Sequence, residues 1–168
     1  MAEKETIYSS SMKYDGIFSF KDFYKFCYEW LTEETHMDFV MEGKYEEKIK
    51  GDEKEVVVEW EGQKKITDYF RFDIKVKMEI KRLKEVEVMQ DGIKVKANSG
   101  SAKIGVKGIL VRDYESKFEG TAFRKFMRSI YEKWIITSRI KQFEDYVASK
   151  CDEFLGQAKA YLDLEGKR

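Results

Sequence analysis

The segment from Tyr69 to Lys81, YFRFDIKVKMEIK, carries the most regular pattern in the chain. Phe70, Phe72, Ile74, Val76, Met78 and Ile80 alternate with Arg71, Asp73, Lys75, Lys77, Glu79 and Lys81. Strand side chains point to alternate sides, so the segment predicts a strand, to about Arg82, in a sheet with one dry and one wet face. The same period precedes it. Met37, Phe39, Met41, Tyr45 and Ile49 alternate with Asp38, Glu42, Lys44, Glu46 and Lys48, and Gly43 interrupts the apolar side as a bulge or bend would. Lys50-Gly51-Asp52 turns the chain into Val56, Val58 and Trp60, and Glu61-Gly62-Gln63 marks another turn or bulge.

Beyond Leu83, which breaks the parity, Val86 and Val88 lead to Gln90-Asp91-Gly92. An Asp-Gly pair between alternating segments predicts a hairpin with a type I′ turn, which needs positive φ. Ile93, Val95 and Ala97 form the return strand, Asn98-Ser99-Gly100-Ser101 a turn, and Ala102, Ile104, Val106 and Leu110 a last strand to about Asp113. Glu5 to Lys13 reads as a first strand closed by a Tyr14-Asp15-Gly16 turn. Joints this short require antiparallel pairing, since parallel strands need long crossovers.

Two stretches take the helical period instead. Ser19 is placed as an N-cap, with Asp22 in the first turn, before Phe20, Phe23, Tyr24, Cys27 and Leu31. Their spacing predicts a helix of about 14 residues, ending in Thr32-Glu33-Glu34-Thr35, that packs on the sheet. After Glu119-Gly120, Thr121 caps a second helical stripe of Phe123, Phe126, Met127, Ile130 and Trp134, continued by Ile136, Ile140, Phe143, Val147, Cys151, Phe154, Ala158 and Tyr161 or Leu162. Unbroken to Leu164 it would be about 66 Å long at about 1.5 Å per residue. A compact domain of this size has a radius of gyration of only about 15 Å. The stripe therefore breaks near Trp134–Ser138, where Ile135, Ile136 and Thr137 are β-branched, or residues 138–168 protrude as a helical tail. The elements together predict a single α+β domain over 1–168: a curved antiparallel meander of about six to seven strands on a long C-terminal helical region, plus one short N-terminal helix.

Composition narrows the function classes. With 32 basic and 32 acidic residues in 168, the chain has no overall field to attract nucleic acid. No window reaches the roughly 18 apolar residues of a membrane span, and MAEKETIYSSS has no signal-peptide core. A cytoplasmic protein is the expectation. Proline is absent where average usage predicts roughly eight. Cys27 and Cys151 fall in helical patterns and read as small buried apolar residues rather than a disulfide pair.

The chemistry is sparse. His36 is the single histidine, and no CxxC or HxxxH spacing occurs, so no metal site and no cofactor are expected. Asn98–Gly105, NSGSAKIG, lacks the lysine, hydroxyl and following helix of a phosphate loop. Arg124, Lys125 and Arg128 gather opposite the apolar stripe of their helix and read as a solvated face. Glu47 falls on the apolar side of its strand, where a carboxylate is costly unless paired or wet.

The order strand, helix, meander, long C-terminal helix, from Glu5 to Leu164, resembles the START-like helix-grip (SRPBCC-type) superfamily. The resemblance rests on element order and carries no motif. It implies a curved sheet wrapping the last helix around a cavity. Three function classes follow. The first is a non-enzymatic domain holding an apolar small molecule or lipid between sheet and helix, lined by Trp60, Phe72, Ile74, Met78, Phe126, Ile130 and Trp134, with Glu47 marking the cavity. The second is a structural or adaptor protein that self-associates into a homo-oligomer through the C-terminal helix or a sheet edge. The third, and least supported, is an enzyme pairing Glu47 with Tyr45 or Tyr69.

Overall fold

A computed structural model describes residues 3–112, 121–130, 133 and 137–166. The expected break region, Trp134 included, falls mostly outside them. Five strands form one antiparallel sheet: β1 (Glu3–Phe18), β2 (Phe39–Lys50), β3 (Glu53–Lys65), β4 (Phe70–Gln90) and β5 (Ile93–Arg112). Their order is β1-β5-β4-β3-β2, so the first strand pairs with the last and the sheet stays open at β1 and β2. Helix α1 (Phe20–Glu33) joins β1 to β2, and α2 (Ala122–Ile130) and α3 (Thr137–Gly166) follow the meander. Among the described residues the C-terminal helical region comprises α2 and α3, and the residues that join them lie mostly outside the description.

The strand count differs from the expected six to seven because two pairs of segments fuse. Asp91 and Gly92 take φ values of +52° and +79°, as the turn demands. Below this turn, however, neither arm is interrupted. β5 runs straight through Asn98–Ser101, paired to Ile17, Gly16 and Asp15 of β1, so neither that segment nor Tyr14–Gly16 is a turn. β4 likewise passes Leu83, because Arg82 adopts φ +56° and makes a bulge between Lys81 and Lys84. The bulge is the physical cause of the parity break: it carries the apolar side of β4 from the helix-facing side to the opposite one, where Val86 and Val88 pair with Ala97 and Val95. A Cβ on Gly100 would stand 3.1 Å from the Lys81 carbonyl oxygen and 3.3 Å from that of Arg82. Gly100 is thus the residue that lets β5 pass under the bulge. Gly62 is no turn either. It pairs with Val40 and Ile74 and gives Met37 room to pack.

Gly43 does form the expected bulge, between Glu42 and Lys44. Its consequence is larger than an interruption. Val40 and Glu42 pair with Gly62 and Trp60, and after the bulge Tyr45 and Glu47 pair with Val58 and Val56. Phe39 and Met41 therefore lie on the opposite side of the sheet from Tyr45, and both are exposed. The single apolar side expected for β2 does not exist.

One side of the sheet carries the core. Val56, Val58, Trp60, Phe72, Ile74, Val76, Met78, Ile80, Ile104 and Val106 are buried there against α1 and α3. α1 is the expected 14-residue helix. Ser19 Oγ accepts from Asp22 N at 3.4 Å, and Asn98 Oδ1 caps Phe20 N from β5 at 3.0 Å. α1 buries Phe23, Cys27, Trp30 and Leu31. α3 buries Val147, Cys151, Phe154, Leu155, Ala158 and Leu162, so its apolar stripe from 147 to 162 is turned to the sheet rather than away from it. Aromatic rings join the two helices: Phe26 stacks on Tyr161 at 4.5 Å and Trp30 meets Phe154 at 5.3 Å. Burial pushes the Cys151 thiol up to about 12 and the Cys27 thiol higher, so both cysteines behave as the apolar residues they were read as.

α3 approaches β5 closely because Gly108 has no side chain. A Cβ there would stand 2.6 Å from Val147 Cγ1 and 2.7 Å from Cys151 Sγ. Gly108→Ala is expected to cost about 1–3 kcal/mol by overpacking. Gly156→Ala, in α3 with nothing within 4 Å, is expected to stabilise by about 0.5–1 kcal/mol. Urea unfolding midpoints of the two variants check both signs.

Candidate functional site

Trp60, Phe72, Ile74 and Met78 do share the helix-facing side, as expected, and none is more than 2% exposed. They belong to one packed core with Phe23, Leu31 and Phe154. The structure does not bring Phe126 to them: it is 61% exposed on α2, beside Phe123 and Met127, which are exposed as well. Ile130 ends the same helix, which has no buried residue. Trp134 lies outside the described residues.

Glu47 sits at the edge of the helix-facing side, on β2. It accepts from Tyr45 Oη at 2.8 Å and pairs with Lys54 at 3.6 Å. Tyr69 is elsewhere, buried with Phe70 and receiving a hydrogen bond from Arg128 Nε at 3.0 Å. The carboxylate that the pattern missed is Glu42, turned to this side by the Gly43 bulge. It accepts from Tyr24 Oη and, at 3.3 Å, from Trp60 Nε1. Beside it the Tyr24 ring meets the Tyr45 ring at 6.0 Å and the Trp60 ring at 5.2 Å between centroids. Burial first, then the neighbouring carboxylates Glu42 and Glu47, push Tyr24 and Tyr45 each up to about 12. This cluster is a hydrogen-bonded seam: its carboxylates are already engaged, and its phenols stay neutral donors.

The open space lies on the other side of the sheet. A groove of about 640 Å³ crosses it from β1 to the β2 bulge, lined by Ser9, Ser11, Lys75, Lys77, Glu79, Lys103, Gly105, Lys107, Glu59 and Glu61 among others. Strand register explains its chemistry. Ser9, Lys107, Lys75 and Glu61 form one row across four strands, and Ser11, Gly105, Lys77 and Glu59 the next. The β1–β5–β4 wall is therefore mostly hydroxyl and cationic, with Glu79 among its lysines, and the β3 wall is acidic. Lys77 pairs with Glu79 at 3.4 Å and Glu59 at 3.9 Å. Among the described residues no carboxylate oxygen lies within 4.0 Å of the Lys75, Lys103 or Lys107 ammonium groups. In this chain of zero net charge the groove is a polarised channel. Its residues come from the wet positions of the most regular strand and from Lys103-x-Gly105-x-Lys107, the wet positions between Ala102, Ile104 and Val106 on β5.

Among the described residues no group of three or more histidine, cysteine, aspartate or glutamate side chains is placed to hold a metal ion, and no helix is long and apolar enough to cross a membrane. No protein-family model and no curated protein matches the sequence.

The tyrosine seam has a pH signature. Folded values near 12 lie above the ordinary value of 10.0. The stabilisation they bring is therefore whole below about pH 10 and is lost as pH rises through about 12. A near-ultraviolet absorbance titration is expected to resolve a late-ionising fraction of tyrosines. Glu42→Gln should lower the Tyr24 value part of the way, since burial, the larger cause, remains.

Proposed function

We propose that the chain is a non-enzymatic binding domain that takes its ligand in the groove on the open side of the sheet. The observation that carries the reading is the division of labour between the two sides. The helix-facing side is filled by large side chains, while the opposite side keeps a groove of about 640 Å³, within the usual range of about 300–1,000 Å³ for ligand sites. The order of elements, with α3 lying across the meander, supports a helix-grip likeness for the scaffold. An apolar molecule between sheet and α3 would have to displace Trp60, Phe72, Ile74 or Met78 from the core.

Self-association through a sheet edge is the second reading, favoured by Phe39, Met41 and Ile49, which are exposed along β2. Against it, the Gly43 bulge and the alternating charges of Lys44, Glu46 and Lys48 interrupt that edge, which are devices that discourage strand pairing.

A nuclear magnetic resonance titration of labelled protein with a panel of small polar and apolar metabolites tests the proposal. Shifts are expected at the amides of Ser9, Ser11, Lys75, Lys77 and Lys103–Lys107. They should disappear in Gly105→Phe, which fills the groove floor. Shifts confined to the Trp60 indole and to Phe72, Ile74 and Met78 would move the ligand to the helix-facing side and sink the groove assignment. Light scattering at high concentration reports a monomer if the groove reading holds over edge pairing.

A further inference from the structure

Gly105 occupies the middle of the cationic wall, and nothing in the fold requires glycine there. A Cβ would meet only the Ser10 carbonyl oxygen at 3.9 Å and Ser11 Cβ at 4.0 Å, which are ordinary contacts. Its backbone is not among those with positive φ. Glycine inside a strand weakens it, since it has no side chain to pack and much freedom to lose. The residues around it carry a second local cost. Along the strand its same-side neighbours are Lys103 and Lys107; across the pairs they are Ser11 and Lys77. The corners are Ser9, Lys13, Lys75 and Glu79, because Lys107 pairs with Ser9 and Lys75, and Lys103 with Lys13 and Glu79. Five lysines and two hydroxyls thus ring one position without a side chain, with a single glutamate among them. Lys107 faces Lys75 on one side, and Lys103 faces Lys13, although like charges directly opposite destabilise a sheet.

Two unfavourable choices at one spot, in a groove, are what a binding site imposes on a scaffold. We infer that Gly105 is the floor of a phosphate site: the phosphate of a small phosphorylated metabolite rests over it, held by Lys103, Lys107 and Lys75, with the Ser9 and Ser11 hydroxyls as donors. Lysine is suited to this as a compact charge with three donors, and phosphate supplies the acceptors. The acidic wall sets the rest of the ligand. Glu59 and Glu61 accept hydrogen bonds only, so they fit the hydroxyl or ammonium groups of the same molecule. The class is a phosphorylated polyol or amine. This inference rests on the groove being the binding site.

Calorimetric titration with inorganic pyrophosphate and with glycerol 3-phosphate tests it at low ionic strength, where exposed charges are least screened. Both probes are expected to bind, glycerol 3-phosphate losing affinity in Glu59→Gln and pyrophosphate not. Lys103→Gln and Lys107→Gln should each weaken binding about tenfold, the scale of one charge-assisted contact. Lys21→Gln, on α1, should leave it unchanged. Without probe, Lys107→Gln should raise the melting temperature by removing the Lys75 repulsion, which also shows that the variant folds. Equal binding by the lysine variants, or none by wild type, overturns the assignment. Where the phosphate assignment fails in this way, wild-type groove amides that respond to other metabolites leave the groove standing, and wild-type amides that respond to nothing drop both. Binding to phosphatidylserine vesicles or to single-stranded RNA, but not to the free probes, would place the phosphate on a macromolecule and overturn the metabolite assignment.

Discussion

The contact between α3 and β5 at Gly108 sets the distance between the helical layer and the sheet. Val147 and Cys151 reach the backbone of the strand itself, since no Cβ intervenes. At that separation the aromatic side chains of α1 and α3 reach the rings and methyl groups of β3, β4 and β5 and leave them no more than a few per cent exposed. Close packing of this kind stabilises by many small dispersion contacts and makes the layer intolerant of added volume. A looser approach would have left space between sheet and helix. The close one fills the helix-facing side, and the groove lies on the opposite side.

Two bulges decide what that other side contains. The Gly43 bulge turns Glu42 inward to Tyr24 and Trp60 and turns Phe39 and Met41 outward. The Arg82 bulge, with Gly100 beneath it, lets β4 and β5 extend past the rest of the sheet as a two-stranded ribbon that carries Val86, Val88, Val95 and Ala97 on the groove side. Each inserts one residue and reverses the facing of everything beyond it, because the strand period is two. Asp73 shows how such a side tolerates burial of charge: it is 2% exposed and held by Arg71 through bonds of 2.7 and 2.9 Å. A bidentate guanidinium supplies both charge and geometry.

The cationic wall of the groove illustrates why net charge is a poor guide to local field. Lysines 13, 75, 77, 103 and 107 are scattered through three strands of a chain whose 32 basic and 32 acidic residues cancel. Antiparallel register gathers the lysines onto one patch and sends much of the acidic complement to the next strand. Potential depends on the spatial distribution of charge rather than on the sum.

Local pattern by itself determined the element types: the two-faced strand over Tyr69–Lys81, the 14-residue α1 with its Ser19 cap, the Asp91-Gly92 turn, the Gly43 bulge, and the Thr121 cap, whose hydroxyl accepts from Arg124 N at 3.1 Å. These rest on period, capping and turn chemistry, which act within a few residues. What only the tertiary structure decided was where strands continue and which side chains meet. Asn98–Ser101 and Tyr14–Gly16 look like turns alone, yet each is held extended by pairing with the other. Likewise α2 keeps a perfectly helical stripe while leaving Phe123 and Phe126 exposed, and Gly105 acquires its ring of lysines through register across three strands. Hydrogen-bond partners distant in sequence outweigh local turn preference when a long strand lies alongside, and cross-strand register has no signature in a single chain.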